Sequence, residues 1–227
     1  MTLLFVAGCS VPWKNERRDA INIAFDLRNN QPIITAKVNH KPGAFVVGSA
    51  QPVSVVDPNF LQVHRGRRNS QVTVTLGERH SLRVAPAPVE TRPIADGILG
   101  ADAFRASTLT IDYRGRVIVL NDQSLPMDDM QTFRFRSLPR VPIHIDGQTY
   151  QALVDTSVPD TLLLPASFGA AGRRNVNATI AGVEFRGVDA SVGESSEIRI
   201  GNRILANFLV MIDFRRGVVG LWRDPRP

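Results

Sequence analysis

Apolar and polar residues alternate through Val72-Thr73-Val74-Thr75-Leu76, and Gly77 then turns the chain toward a second stretch ending at Val84. A period of two sends successive side chains to opposite faces of a pleated strand, so this pattern predicts a hairpin with one buried face. Over Arg67–Val84 the hairpin is either a flap closing over a cleft or an outer hairpin of its lobe. Short apolar runs bounded by Gly, Pro, Asn and Asp recur elsewhere, among them Val53-Ser54-Val55-Val56, Leu109-Thr110-Ile111, Thr161-Leu162-Leu163-Leu164 and Val210-Met211-Ile212. Their length suits strands rather than helices. Helix is expected only as single turns at Pro58-Asn59-Phe60-Leu61, Asp102-Ala103-Phe104-Arg105 and Pro165-Ala166-Ser167-Phe168. The pattern is that of an all-β chain.

The pattern is also used twice. Lys37 to Pro52 matches His144 to Pro159 at a constant offset of 107: in each, a strand ends in a polar turn, a second strand rises, and a Pro follows four residues after position 48 or 155. Further on, Leu99-Gly100-Ala101-Asp102 leads to Ile111-Asp112, as Ile200-Gly201-Asn202-Arg203 leads to Ile212-Asp213, now at an offset of 101. Two blocks repeating in the same order indicate an internal duplication. The six-residue loss between them is expected to be a trimmed hairpin in the second copy. The chain accordingly divides into a leader at 1–19, a first lobe at 20–125, a linker at 126–137, a second lobe at 138–223 and a tail at 224–227. Asp112-Tyr113-Arg114-Gly115-Arg116 and Asp213-Phe214-Arg215-Arg216-Gly217 read as hairpin turns, the acid satisfying backbone donors and the glycine supplying a positive dihedral.

Composition narrows the chemistry. With 27 Lys+Arg against 21 Asp+Glu the chain carries +6, but Arg17-Arg18, Arg65-Gly66-Arg67-Arg68, Arg173-Arg174 and Arg215-Arg216 are scattered, so no phosphate-tracking stripe and no nucleic-acid partner is expected. One cysteine excludes an internal disulfide, and the four histidines lack ligand spacing, so no metal and no cofactor is expected. Gly-rich nucleotide loops, His-Glu-x-x-His and Gly-x-Ser-x-Gly are all missing, and Ser10, Ser124 and Ser195 have no base nearby in sequence. Asp26 reads as a strand-end acid. Asp96, just before Gly97-Ile98-Leu99-Gly100, reads as a turn acid that could approach a cleft.

Asp155-Thr156-Ser157 at the end of an apolar strand, followed by Leu162-Leu163-Leu164-Pro165 and a later Ile-Gly block, resembles the aspartic protease superfamily. The nearer likeness is to retropepsin-like bacterial aspartyl proteases with two lobes on one chain, and Ile98-Leu99-Gly100-Ala101-Asp102-Ala103-Phe104 extends it to the first half. The resemblance spans about 20–223. It implies duplicated lobes forming a bilobal β-barrel-like architecture, with one Asp-Thr/Ser-Gly triplet from each lobe meeting at their interface. Two neighbouring carboxylates there share a proton, one activating water while the other donates. Asp155 matches the catalytic acid of the second lobe, Thr156 the bracing hydroxyl, and Ser157 replaces the triplet glycine. In the first lobe Gly48 stands at the acid's position, Ser49 can keep the bracing hydroxyl and Ala50 replaces the glycine. Asp57, nine residues beyond Gly48, does not restore the triplet.

Two readings follow from the resemblance. In the first, the protein is catalytically impaired or inactive and its inter-lobe cleft recognises an extended peptide or protein segment. In the second, it is an active aspartic endopeptidase using Asp155, its partner acid supplied either by Asp155 of a second chain in a homodimer or by a distant acid that enters the cleft. Val6-Ala7-Gly8-Cys9 resembles a bacterial lipobox, with Cys9 the candidate lipidation site. It implies a cell-envelope or periplasmic protein held by a lipid anchor, and a cytoplasmic one if the leader has another meaning.

Overall fold

The computed structural model describes residues 20–63, 71–78, 80–89 and 94–223. The expected leader with Cys9, the Arg65–Arg68 run and the tail at 224–227 lie outside the described residues.

The first half supplies β1 (Ala20–Ala24), β2 (Asp26–Arg28), β3 (Gln31–Val38), β4 (Lys41–Val47), β5 (Val55–Val56), β6 (Val72–Leu76), β7 (His80–Pro86), β8 (Gly97–Leu99), β9 (Thr108–Asp112) and β10 (Val117–Asn121). The second supplies β11 (Gln131–Arg134), β12 (Arg140–Ile145), β13 (Gln148–Val154), β14 (Leu162–Leu164), β15 (Gly172–Ile180), β16 (Val183–Val192), β17 (Arg199–Ile200), β18 (Leu209–Asp213) and β19 (Val218–Trp222). In the first half the order β3-β4-β8-β5-β7-β6 closes through pairing of β3 with β6, with β2 added beside β3. In the second, β12-β13-β17-β14-β16-β15 closes through β12 and β15. The two rings have the same order, element for element. Closure leaves neither ring an open edge, which is how a short-stranded β lobe avoids pairing with other chains.

A shared six-stranded sheet, β1-β10-β9-β18-β19-β11, joins the halves and reads the same from either end. Thr108 lies opposite Asp213 and Asp112 opposite Leu209, so the local two-fold axis passes between β9 and β18. The segment 126–137, expected as a linker, contributes β11 as one edge of this sheet. Apolar residues of both halves, including Phe45, Phe104 and Ile111 with Ile143, Val154 and Val210, form one continuous core. The molecule is therefore a duplicated, bilobal, nearly all-β structure with one main core spanning both halves.

Among the described residues, every strand of the first ring has a counterpart in the second, so the expected trimmed hairpin is not seen there. Register pairing gives an offset of 104 between Val74 and Ala178, because both face the equivalent residues Val38 and Ile145. The offset is 105 between Ala85 and Ala190, and 101 by Leu99 and Ile200. The shortening lies in the connections before β6 and after β7. The β6–β7 hairpin is a wall of the first barrel, and a Cβ at its turn residue Gly77 would fall 2.9 Å from Ile21 of β1. That contact seats the hairpin on the shared sheet, and so β6–β7 is an outer hairpin.

Helical turns form at α1 (Pro58–Val63), Ala101–Phe104 and Ala166–Phe168, as the sequence indicates. A fourth, α2 (Asn202–Leu205), was not indicated. It is the counterpart of Ala101–Phe104, and Asn202 N donates to Val158 O across the fold, so tertiary contacts rather than local propensity hold it. The β9–β10 turn corrects another expectation. Gly217 adopts φ +63 in the second hairpin, but in the first the equivalent residue Arg116 takes φ +49, and Gly115 does not supply the positive dihedral. Asp112 and Asp213 do accept from the turn's backbone, from Gly115 N and Arg216 N.

Candidate functional site

The two triplets meet because each follows a strand that is paired in parallel with a central strand of its own barrel. Val47 faces Leu99, and Val154 faces Ile200. The next residue in each half then repeats the same bond: Gly48 N donates to Leu99 O at 2.8 Å and Asp155 N to Ile200 O at 3.0 Å. Gly48 and Asp155 are thus structurally equivalent.

Four reciprocal hydrogen bonds tie the triplets together. Thr156 Oγ1 donates to Val47 O at 2.5 Å and accepts from Ser49 N at 3.0 Å. Ser49 Oγ donates to Val154 O at 2.6 Å and accepts from Thr156 N at 3.2 Å. Both residues are fully buried, so each hydroxyl satisfies backbone groups of the other half that would otherwise be desolvated without partners. Ala50 is buried beside them.

The Asp155 carboxylate is completely buried, and its hydrogen-bond partners among the described residues are all donors. Oδ1 accepts from Ser157 N at 2.9 Å and from Ser157 Oγ at 2.6 Å. Oδ2 accepts from Arg199 Nη1 at 2.5 Å. Arg199 Nε in turn donates to Ser195 Oγ at 3.2 Å, and Ser195 Oγ donates to Glu197 O. Ser157, which replaces the triplet glycine of the resemblance, is therefore a donor to the acid. Arg199 was missed by sequence reasoning. The signal was present, because the offset of 101 sets Arg199 against Ile98, a guanidinium where the other copy is apolar.

On the first-half side Gly48 holds the position equivalent to Asp155. A Cβ built at Gly48 would lie 2.9 Å from Gln51 Cγ and 3.0 Å from Ile98 Cγ2, so the space for an acid's stem is occupied. Gln51 Nε2 reaches Ser157 Oγ at 3.4 Å, and Gln31 Nε2 donates to Ser157 O. Below the second triplet, Tyr113 Oη donates to Asn202 Oδ1 at 2.6 Å, while Asn202 Nδ2 donates to Thr156 O at 2.8 Å and Val158 O at 3.0 Å. Burial of the Tyr113 phenol, followed by the negative charge of Asp155, holds its proton far above the ordinary tyrosine range.

The other acids have separate structural partners. Asp96 Oδ2 accepts from Ala44 N at 2.9 Å and braces β4; Asp57 Oδ1 accepts from Asn59 N at the start of α1; Asp102 Oδ1 accepts from Ser54 N and Oγ. Asp26 pairs with Arg28 at the surface. Among the described residues no group of three or more His, Cys, Asp or Glu is arranged to hold a metal ion, and no helix is long and apolar enough to cross a membrane.

Chemically, the pair at the lobe interface is a carboxylate and a guanidinium. Arginine brings a permanent positive charge and five donors, but no acid that can share and pass on a proton at neutral pH.

The closed barrels, the palindromic sheet and the hydroxyls crossing between triplets define the duplicated, bilobal fold of aspartic proteinases. An aspartic proteinase from Irpex lacteus, known from its crystal structure, superposes with a TM-score of 0.61 at 12% identity, over 91% of this chain and 98% of its own. At that identity the likeness establishes the fold. No protein-family model and no curated protein sequence matches the chain.

Proposed function

We propose that this is an aspartic-protease-like protein whose inter-lobe cleft recognises an extended peptide or protein segment without dyad hydrolysis. The observation that carries the reading is the pairing of Asp155 with Arg199 while Gly48 occupies the equivalent place in the first half. Dyad catalysis needs a second carboxyl to hold the shared proton, and removing one member of a cooperative pair typically costs several orders of magnitude in rate. The recognition surface does not depend on that proton, since a groove between β lobes offers backbone groups and side-chain pockets to an extended chain. Homodimeric pairing of two Asp155 residues is disfavoured by the Ser49–Thr156 bonds, which keep the chain's own first half against the triplet.

The test is cleavage of a fluorogenic peptide pool between pH 3 and 7 by the protein and by D155N. The expected result is background signal from both; cleavage by the parent that D155N abolishes would overturn the reading in favour of an active endopeptidase. We further infer, from the lipobox-like segment alone, envelope attachment through a lipidated Cys9. Globomycin-sensitive processing of the protein expressed with its native start, and release from membranes in C9S, are the expected results; unchanged fractionation of C9S would refute the anchor.

A further inference from the structure

We propose that Arg199 is a ligand-binding residue that takes an acidic side chain of the bound peptide, and that Asp155 serves as its orienting partner. This rests on the reading of the cleft as a peptide groove.

Asp155 is wholly buried, whereas the Arg199 side chain is 24% exposed, so the guanidinium is the member of the pair that reaches solvent. Two of its three nitrogens are held by the protein, Nη1 by Asp155 and Nε by Ser195 Oγ. Nη2 has no hydrogen-bond partner among the described residues. A fork fixed at two points with a free donor at the third is preorganised: the entropy of immobilising a long side chain is spent on folding rather than on binding. A planar guanidinium so held matches a carboxylate better than any neutral acceptor. The Asp155 charge lies behind the fork and farther from an incoming anion, so attraction to the nearer guanidinium dominates.

The two-fold relation sharpens the ligand. Ile98, partly exposed beside Gly48, occupies the position equivalent to Arg199. One half therefore offers an apolar contact and the other a cation, so the groove reads the direction of an extended segment: an apolar residue over Ile98 and Asp or Glu over Arg199.

A displayed library of random dodecapeptides, selected on the purified protein, tests this. Selected sequences are expected to share an acid at one fixed position. A fluorescein-labelled synthetic peptide with Glu there is expected to bind at least about tenfold tighter than its Gln form, the scale of one charge-assisted bond. In R199M that ratio falls to near one while the Gln form binds as before, and R199K keeps part of the preference. D155N/R199M, which leaves no unpaired buried charge, gives the same reading if R199M fails to fold. Binders without a shared acid, or an acid preference that survives both substitutions, would overturn the assignment and leave peptide recognition standing. No binders at all would overturn both.

Discussion

Arg199 Nη1 donates to Asp155 Oδ2 at 2.5 Å, joining a residue of β17 to the acid that follows β13. A buried charge stripped of its partner is far more costly than a pair replaced by neutral groups. R199M is therefore expected to lower stability by about 2–4 kcal/mol, short of the fully buried range because Arg199 keeps contact with water. D155N/R199M should recover most of that loss. Urea unfolding of the two single variants and the double closes the cycle; additive single effects would contradict coupling between the residues.

The Ser49–Thr156 exchange is equally specific, but no charge takes part in it. T156V keeps the side chain's shape while removing one bond donated to Val47 O and one accepted from Ser49 N. The expected cost is about 1–3 kcal/mol, because the stranded backbone groups stay buried. S49A should cost a similar amount, and T156V/S49A less than the sum, since the four bonds form one network. The measurement is again denaturant unfolding, with an unchanged m-value showing that the halves still unfold together.

Tyr113 supplies a pH test. Its folded-state proton is held more tightly than in the unfolded chain, by burial first and by Asp155 second. The unfolded phenol releases its proton near pH 10 and the native one does not, so stability is full below that pH and declines above it by about 1.4 kcal/mol per unit from this group. Y113F should flatten the alkaline slope by that amount while losing stability at neutral pH, where Asn202 Oδ1 loses its donor. Stability curves of both proteins between pH 8 and 11.5 decide it; equal slopes would place Tyr113 outside the linkage.

Much of this arrangement was readable from the chain. The offsets of 107 and 101 recur as equivalent register positions, Val55 with Leu162 and Leu99 with Ile200, and the triplet hydroxyls of Ser49 and Thr156, 107 residues apart, meet as the duplication implies. What escaped reading depends on neighbours brought together by folding. Arg199 is 44 residues from Asp155, and only the parallel pairing of β13 with β17 makes them adjacent. Arg116 at φ +49 was hidden because a glycine beside it looked better suited to the turn, whereas the register of β9 with β10 puts the left-handed position one residue later. The offset change was legible in size but not in place, since connections can shorten without removing a strand.

On the proposed reading, an acid introduced at Gly48 alone is not expected to produce hydrolysis. In G48D the new Cβ falls 2.9 Å from Gln51 Cγ and 3.0 Å from Ile98 Cγ2, atoms close to their own backbones that cannot swing away freely. The expected cost is about 1–3 kcal/mol of overpacking strain. The introduced carboxyl would also face an Asp155 already bound to Arg199, so the shared proton of a dyad has no place to form. G48D/Q51A/R199I removes Gln51 Cγ, the nearer of the two crowding atoms, and returns the second-half position to the apolar character of Ile98. Peptide-pool cleavage at acid pH is expected from the triple variant and not from G48D. Cleavage by G48D at the same rate would show that Arg199 does not obstruct the chemistry, and that Gly48 by itself keeps the site silent.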